Sequence, residues 1–150
     1  MSLQTPAAKM SKSDADPRSR ILLTDSAEEI RRKVMAAKTD STNAVSYDRA
    51  ARPGVSNLLE LWASFDPARR SPEALAEDLG GRKATLKDLK TAVADVLVGE
   101  IPAIGVRYRE FLGRDGGEYL DEVEDRGARA ARKSADGTME VVKRAVGLSR

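Results

Sequence analysis

Lys9 and Lys12 place two ammonium groups three positions apart, with Met10 between them and Ser11 and Ser13 alongside, in a stretch that has the composition of a flexible loop. A lysine is a compact point charge on a long stem, suited to following phosphate oxygens as they move. Two such charges, with hydroxyls and backbone N–H groups beside them, can neutralise the charge that builds on a departing pyrophosphate. The same five residues also read as a solvated basic loop that happens to contain serines, or as a kinase target. The elements behind the loop must decide between these readings.

At 150 residues the chain is long enough for one domain with a real core. Aromatic residues are 4% and charged residues 33% of it, which suits helices packed through small residues better than a β-sandwich. A formal net charge of +2 is too small for nucleic-acid binding by bulk charge, so any such contact has to come from local patches. Cysteine and histidine are both absent. That removes disulfides, thiolate metal sites, Ser-His-Asp and Cys-His catalysis and zinc-hydrolase chemistry, and no metal-ligand set is expected. A reducing compartment fits the missing cysteines. No run approaches a membrane span or a targeting segment, so no membrane partner is expected. Residues 1–9 read as a polar connector.

Beyond the loop the pattern is helical. Ser26 and Glu29 form a capping box ahead of Ile30, Val34 and Ala37. Glu28 and Arg32, and Glu29 and Lys33, are acid-first pairs four apart that predict a solvated face. Residues 39–54 are turn-rich. Leu58, Leu61, Trp62 and Phe65 then share a helical face, with Trp62 expected in the core and Asp66-Pro67 as the stop. Ser71-Pro72 starts a short helix, and Gly80-Gly81 is expected to cap it and form the turn.

Thr85 and Asp88 make a second capping box for the longest segment, which carries Leu86, Leu89, Val93, Leu97, Ile101, Ile104, Tyr108, Phe111 and Leu112. Pro102 within it predicts a bend near Gly99, or two helices in succession. Residues 113–117 break the pattern, and a helix follows over 118–135. Gly127 in that helix implies a close helix neighbour to offset its propensity cost. Asp136-Gly137-Thr138 is expected as a turn before a last helix with Met139, Val142 and Val146. Arg126, Arg129, Arg132 and Lys133 fall near one side of 118–135. They are either a phosphate-backbone patch or solubilising residues paired with Glu122, Glu124 and Asp125. No convincing strand follows residue 23, so the class is all-α: a helical bundle behind a flexible loop.

Lys9-Met10-Ser11-Lys12-Ser13 is the string of the KMSKS signature of class I aminoacyl-tRNA synthetases. With it stand Met1 to Gln4, Arg20 to Ser26, Thr39-Asp40-Ser41, Tyr47-Asp48 and the run from Pro53 to Leu59. Together these resemble the tryptophanyl-tRNA synthetases of bacteria and mitochondria. The stretch from Ser19 to Ser26 is most similar to fungal mitochondrial members, which implies the mitochondrial matrix, or the cytoplasm for a bacterial protein.

The resemblance implies a division into 1–25, the loop and connector, and 26–150, an anticodon-binding-like helical domain. It implies that a Rossmann catalytic domain precedes this segment, and that the chain is the C-terminal portion of a tryptophan–tRNA ligase. Lys9 and Lys12 would then be catalytic, and Lys9, Met10, Ser11, Lys12 and Ser13 would bind ATP, with Lys12 foremost and Met10 near the adenine side through its backbone. ATP is implied as substrate, with Mg2+ accompanying it rather than held by residues identifiable in this chain. The implied partners are tRNA-Trp, through the basic helix, and tryptophan, through the preceding domain. The family's homodimer contacts would also lie mainly in that domain. The alternative is a non-catalytic helical module that binds tRNA or protein.

Overall fold

A computed structural model describes residues 1–148. By backbone contacts the chain falls into two units, Met1–Val106 and Arg107–Arg150. Among the described residues the regular elements are α1 (Ala27–Met35), α2 (Pro53–Phe65), α3 (Pro72–Gly81), α4 (Leu86–Gly113), α5 (Glu118–Ala145) and two 3-10 turns, Pro17–Ser19 and Arg114–Gly117. The all-α class is borne out.

The first unit is built around Ile30 and Val34 of α1, Val55, Leu58 and Leu59 of α2, Leu75 of α3, and Leu89, Val93 and Leu97 of α4. Both capping boxes form: Ser26 and Glu29 satisfy each other's backbone N–H groups, as do Thr85 and Asp88. The helix of residues 53–65 begins with proline, whose missing N–H is one of the first-turn donors that has no partner anyway. Gly54 follows because a Cβ there would overlap the Lys38 carbonyl oxygen.

Several expectations need correction. The lead-in is no polar connector, since Ser2 and Leu3 are both buried and Leu3 joins the core. Lys33 does not belong to a solvated face. Its stem is buried, and its Nζ donates to Asp25 Oδ2 at 2.6 Å. Trp62 packs against the core only in part, with the Arg70 guanidinium 5.8 Å from its ring centre. Gly80 and Gly81 are the last two residues of α3 rather than its cap. Lys83, at φ 54°, takes the left-handed position beyond it.

α4 is a single helix through Pro102, with its buried positions ending at Gly105. In the second unit the expected break at 113–117 is present, with Asp115, Gly116 and Gly117 all at positive φ and the Phe111 and Tyr119 rings stacked at 5.7 Å. The expected turn at 136–138 is absent, because α5 runs on to Ala145. Gly137 weakens a helix by about 1 kcal/mol but does not block its hydrogen bonds as proline would. Thr138 there donates its hydroxyl to the Ser134 carbonyl oxygen. Gly127 has no close neighbour of the kind its position implied, since a Cβ at that residue would meet nothing within 4 Å.

No helix among the described residues is long and apolar enough to cross a membrane.

Candidate functional site

The lysine loop is fixed at its base. Ser2 donates its N–H to the Ala8 carbonyl, Leu3 to that of Ser19, and Lys38 to that of Leu3, at 2.9, 2.9 and 2.8 Å. Leu3 thereby joins the loop's exit to the end of α1. Ser2 Oγ accepts the N–H groups of Gln4 and Thr5, and Asn57 Nδ2 donates to the Met1 and Ser2 carbonyls, so α2 holds the same segment from below. The ties from Leu3 to Ser19 and Lys38, and from Asn57 to Met1 and Ser2, were not visible from local spacing, because those partners are remote in sequence.

The exit side is locked by a second set. Arg20 Nη1 donates to the Asp14 carbonyl oxygen at 2.8 Å and to that of Asp16 at 3.5 Å. Asp16 accepts from Arg18 through both carboxylate oxygens, and that side-chain bond holds its carboxyl below the usual range. Leu22 donates its N–H to Asp25 Oδ2, the oxygen that also takes Lys33. Asp25 is thus the buried link between the loop's exit segment and α1.

The tip is left free. Lys9, Ser11, Lys12 and Ser13 are exposed, while Met10 is half-buried and packs toward the core with Ile21. Met10, Ser11, Lys12, Arg20, Ile21, Leu22 and Leu23 line a cavity of about 260 Å³. Ser11 Oγ lies 3.1 Å from Ser13 Oγ and accepts the Ser13 N–H, which bends the backbone around Lys12. Among the described residues neither lysine forms an ion pair. All five residues singled out in the sequence are therefore gathered on one loop, with Met10 as its apolar anchor and two uncommitted ammonium groups at its tip.

Arg126, Arg129, Arg132 and Lys133 lie on α5 and are exposed. Helical geometry puts them within about 120° of arc. Glu122, Asp125, Asp136 and Glu140 fall in that same arc, so the surface is of mixed sign. The pairing with Glu122, Glu124 and Asp125 that one of the two readings offered is not formed, since among the described residues none of the four is in an ion pair.

The description "tRNA synthetases class I (W and Y)" belongs to a family model that matches residues 1–99. The chain belongs to this family. It is 37% identical over 150 residues to a protein named tryptophan–tRNA ligase from Enterococcus faecalis, and 40% identical over 148 residues to tryptophan–tRNA ligase 1 of Streptomyces avermitilis. These alignments take in 100% and 99% of the chain but only 43% and 42% of the relatives. Among solved structures it is similar to the tryptophanyl-tRNA synthetase of Mycoplasma pneumoniae, with a TM-score of 0.78 and 27% identity, over 100% of this chain and 45% of that one. The chain therefore spans less than half the length of the relatives it matches.

Proposed function

We propose that this chain supplies the ATP loop and the helical domain of a tryptophan–tRNA ligase. The observation that carries the reading is the loop itself: two lysines that form no ion pair among the described residues, at the tip of a segment whose base is cross-tied to α1 and α2. In adenylate formation the tryptophan carboxylate attacks the α-phosphorus of ATP and pyrophosphate leaves. That step needs positioning and charge stabilisation rather than an acid or base from this segment, in keeping with a chain that has no histidine. Lys12, with Lys9, neutralises the leaving pyrophosphate. Ser11 and Ser13 hold the turn and donate to phosphate, and Met10 keeps the loop seated against the core. Mg2+ arrives with the nucleotide. Tryptophan and the remainder of the ATP site are held outside the matched segment, and tRNA-Trp is the second substrate.

The test is tryptophan-dependent ATP–pyrophosphate exchange by the ligase that contains this segment. Lys12→Ala is expected to slow exchange by about 10²-fold or more, the loss typical of removing one transition-state charge contact. An unchanged rate refutes the assignment. The 150-residue chain alone is expected to form no tryptophanyl-adenylate.

A further inference from the structure

A groove of about 460 Å³ opens between residues 45–47 and the face of α3 that carries residues 73, 76, 77, 80 and 81. Its two ends differ in chemistry. At one end Gly80 lies against Val45, since a Cβ on Gly80 would stand 3.6 Å from the Val45 carbonyl oxygen. Val45 and Ala76 are buried members of the core, so this end has an apolar floor. At the other end stands Tyr47, half-buried, its hydroxyl donating to Glu60 Oε1 at 2.9 Å. Burial pushes the Tyr47 phenol up, the bond to Glu60 adds to this, and the charge of Glu73 acts on it in the same direction.

The fold asks for neither the openness of the first end nor the charge of the second. Glycine is not required at 80 or 81 by the backbone, because neither has a positive φ. Packing does not require it either: the Cβ contact at Gly80 is an ordinary one, and a Cβ on Gly81 would touch nothing within 4 Å. Helix propensity disfavours glycine at both positions. What the two glycines do is leave the apolar end open and the α3 backbone bare. Glu73 suits the first turn of α3, where the helix dipole favours an acid. Glu77 has no such return, and at four residues' distance it repels Glu73. Both are exposed, and among the described residues neither forms an ion pair. The arginines near the groove are committed to other acids: Arg49 to Glu60, Arg52 to Asp40, and Arg70 and Arg82 to Asp78.

We propose that this groove docks an extended segment of a partner protein that carries a lysine or arginine and, two residues along, a small apolar residue. Two unneutralised acids refuse an anion and favour a cation, and the apolar floor beside them favours one carried on an organic chain. From Glu73 to Gly81 the helix rises about 12 Å, roughly the reach of four extended residues. In an extended chain, residues two apart face the same way about 7 Å from each other. That matches the helical rise from the middle of the Glu73–Glu77 pair to Gly80, also about 7 Å. The cation then meets the two carboxylates and the Tyr47 ring, and the apolar side chain covers Val45 and Ala76. This docking does not depend on the ligase reading.

The test titrates the isotope-labelled 150-residue chain with a capped pentapeptide that has lysine second, valine fourth and glycine or serine elsewhere, followed by the chain's amide chemical shifts. Saturable shifts are expected at Tyr47, Glu77, Gly80 and Gly81. E73Q/E77Q keeps the side-chain volumes and is expected to weaken binding about fivefold or more, as the loss of two exposed charge contacts can. Replacing the peptide's valine by serine is expected to weaken it about threefold or more, the effect of half-burying that side chain. The inference is overturned if the parental chain shows no saturable shift at these amides, or if E73Q/E77Q binds as the parent does. Equal binding of the serine peptide would overturn it too, by showing attraction of charge alone.

Discussion

Removing the ammonium of Lys33 exposes how the loop's base is held. Asp25 Oδ2 accepts from Lys33 Nζ at 2.6 Å and from the Leu22 N–H at 2.8 Å, and the two side chains are 9% and 6% exposed. In Lys33→Met the stem volume is kept but Asp25 is left as a buried carboxylate with one backbone donor. Breaking a buried pair from one side costs about 3–5 kcal/mol, most of it the uncompensated charge. For a unit of this size that lowers the melting temperature by about 12 °C or more. D25N/K33M removes the stranded charge and keeps an oxygen for Leu22, so it is expected to recover about 1.5 kcal/mol or more of the loss. Trp62 is the only tryptophan and lies in the first unit, so its fluorescence follows unfolding of that unit in urea without a contribution from α5. The reasoning is refuted if K33M stays within about 1 kcal/mol of the parent, or if the double variant is no more stable than K33M alone.

Two further outcomes follow from the same packing. Gly54→Ala gains helix propensity but drives its methyl into the carbonyl of Lys38, the residue whose own N–H ties down Leu3. A net loss of about 1–2 kcal/mol in urea unfolding is expected, with faster amide exchange at Leu3 and Lys38, and a stabilised variant would refute the close approach. Asp66 has its carboxyl lowered from 3.8 to about 2, first by the side-chain bonds from Arg70 and then by the Arg70 backbone N–H. Its contribution is present above the ordinary value and fades as pH falls from 3.8 toward about 2. The urea midpoint of Asp66→Asn is expected to change less than the parent's over that interval, and an identical acid dependence would remove Asp66 from the account.

The parts of the fold legible in the sequence are those set by neighbours within one turn. Ser26 with Glu29 and Thr85 with Asp88 form the caps that their spacing predicts, because both partners of each bond lie on the same three-residue arc. The loop's five residues were legible as a unit for the same reason. The rest depends on long-range partners. Lys33 looks solvated beside Glu29, and only the fold brings Asp25 over it. Leu3 looks like part of a connector until the Ser19 and Lys38 bonds place it in the core. Gly80-Gly81 attracts the cap assignment by composition. The core positions Leu75, Ala76 and Leu79 instead carry the helix through both glycines, which moves the left-handed position to Lys83.

On the proposed ligase reading the loop lends charge to a departing pyrophosphate, and such a loop has to keep that charge uncommitted beforehand. Asp14, Asp16 and Asp25 all lie within the loop's exit, close enough in sequence to compete for Lys12. Each is engaged elsewhere: Asp14 by the Asp16 N–H, Asp16 by Arg18, and Asp25 by Lys33 and the Leu22 N–H. A carboxylate resting about 4 Å from a lysine in a surface environment attracts it by about 1–4 kcal/mol, and that attraction would have to be given up before phosphate could bind. Satisfying the acids with local donors removes this competing resting state. Asp16→Asn should therefore leave the lysines' charge as available as before, whereas Arg18→Ala releases a carboxylate near the tip. The same reasoning separates the two variants by pyrophosphate exchange in the ligase, with a raised KM for ATP expected for R18A and not for D16N.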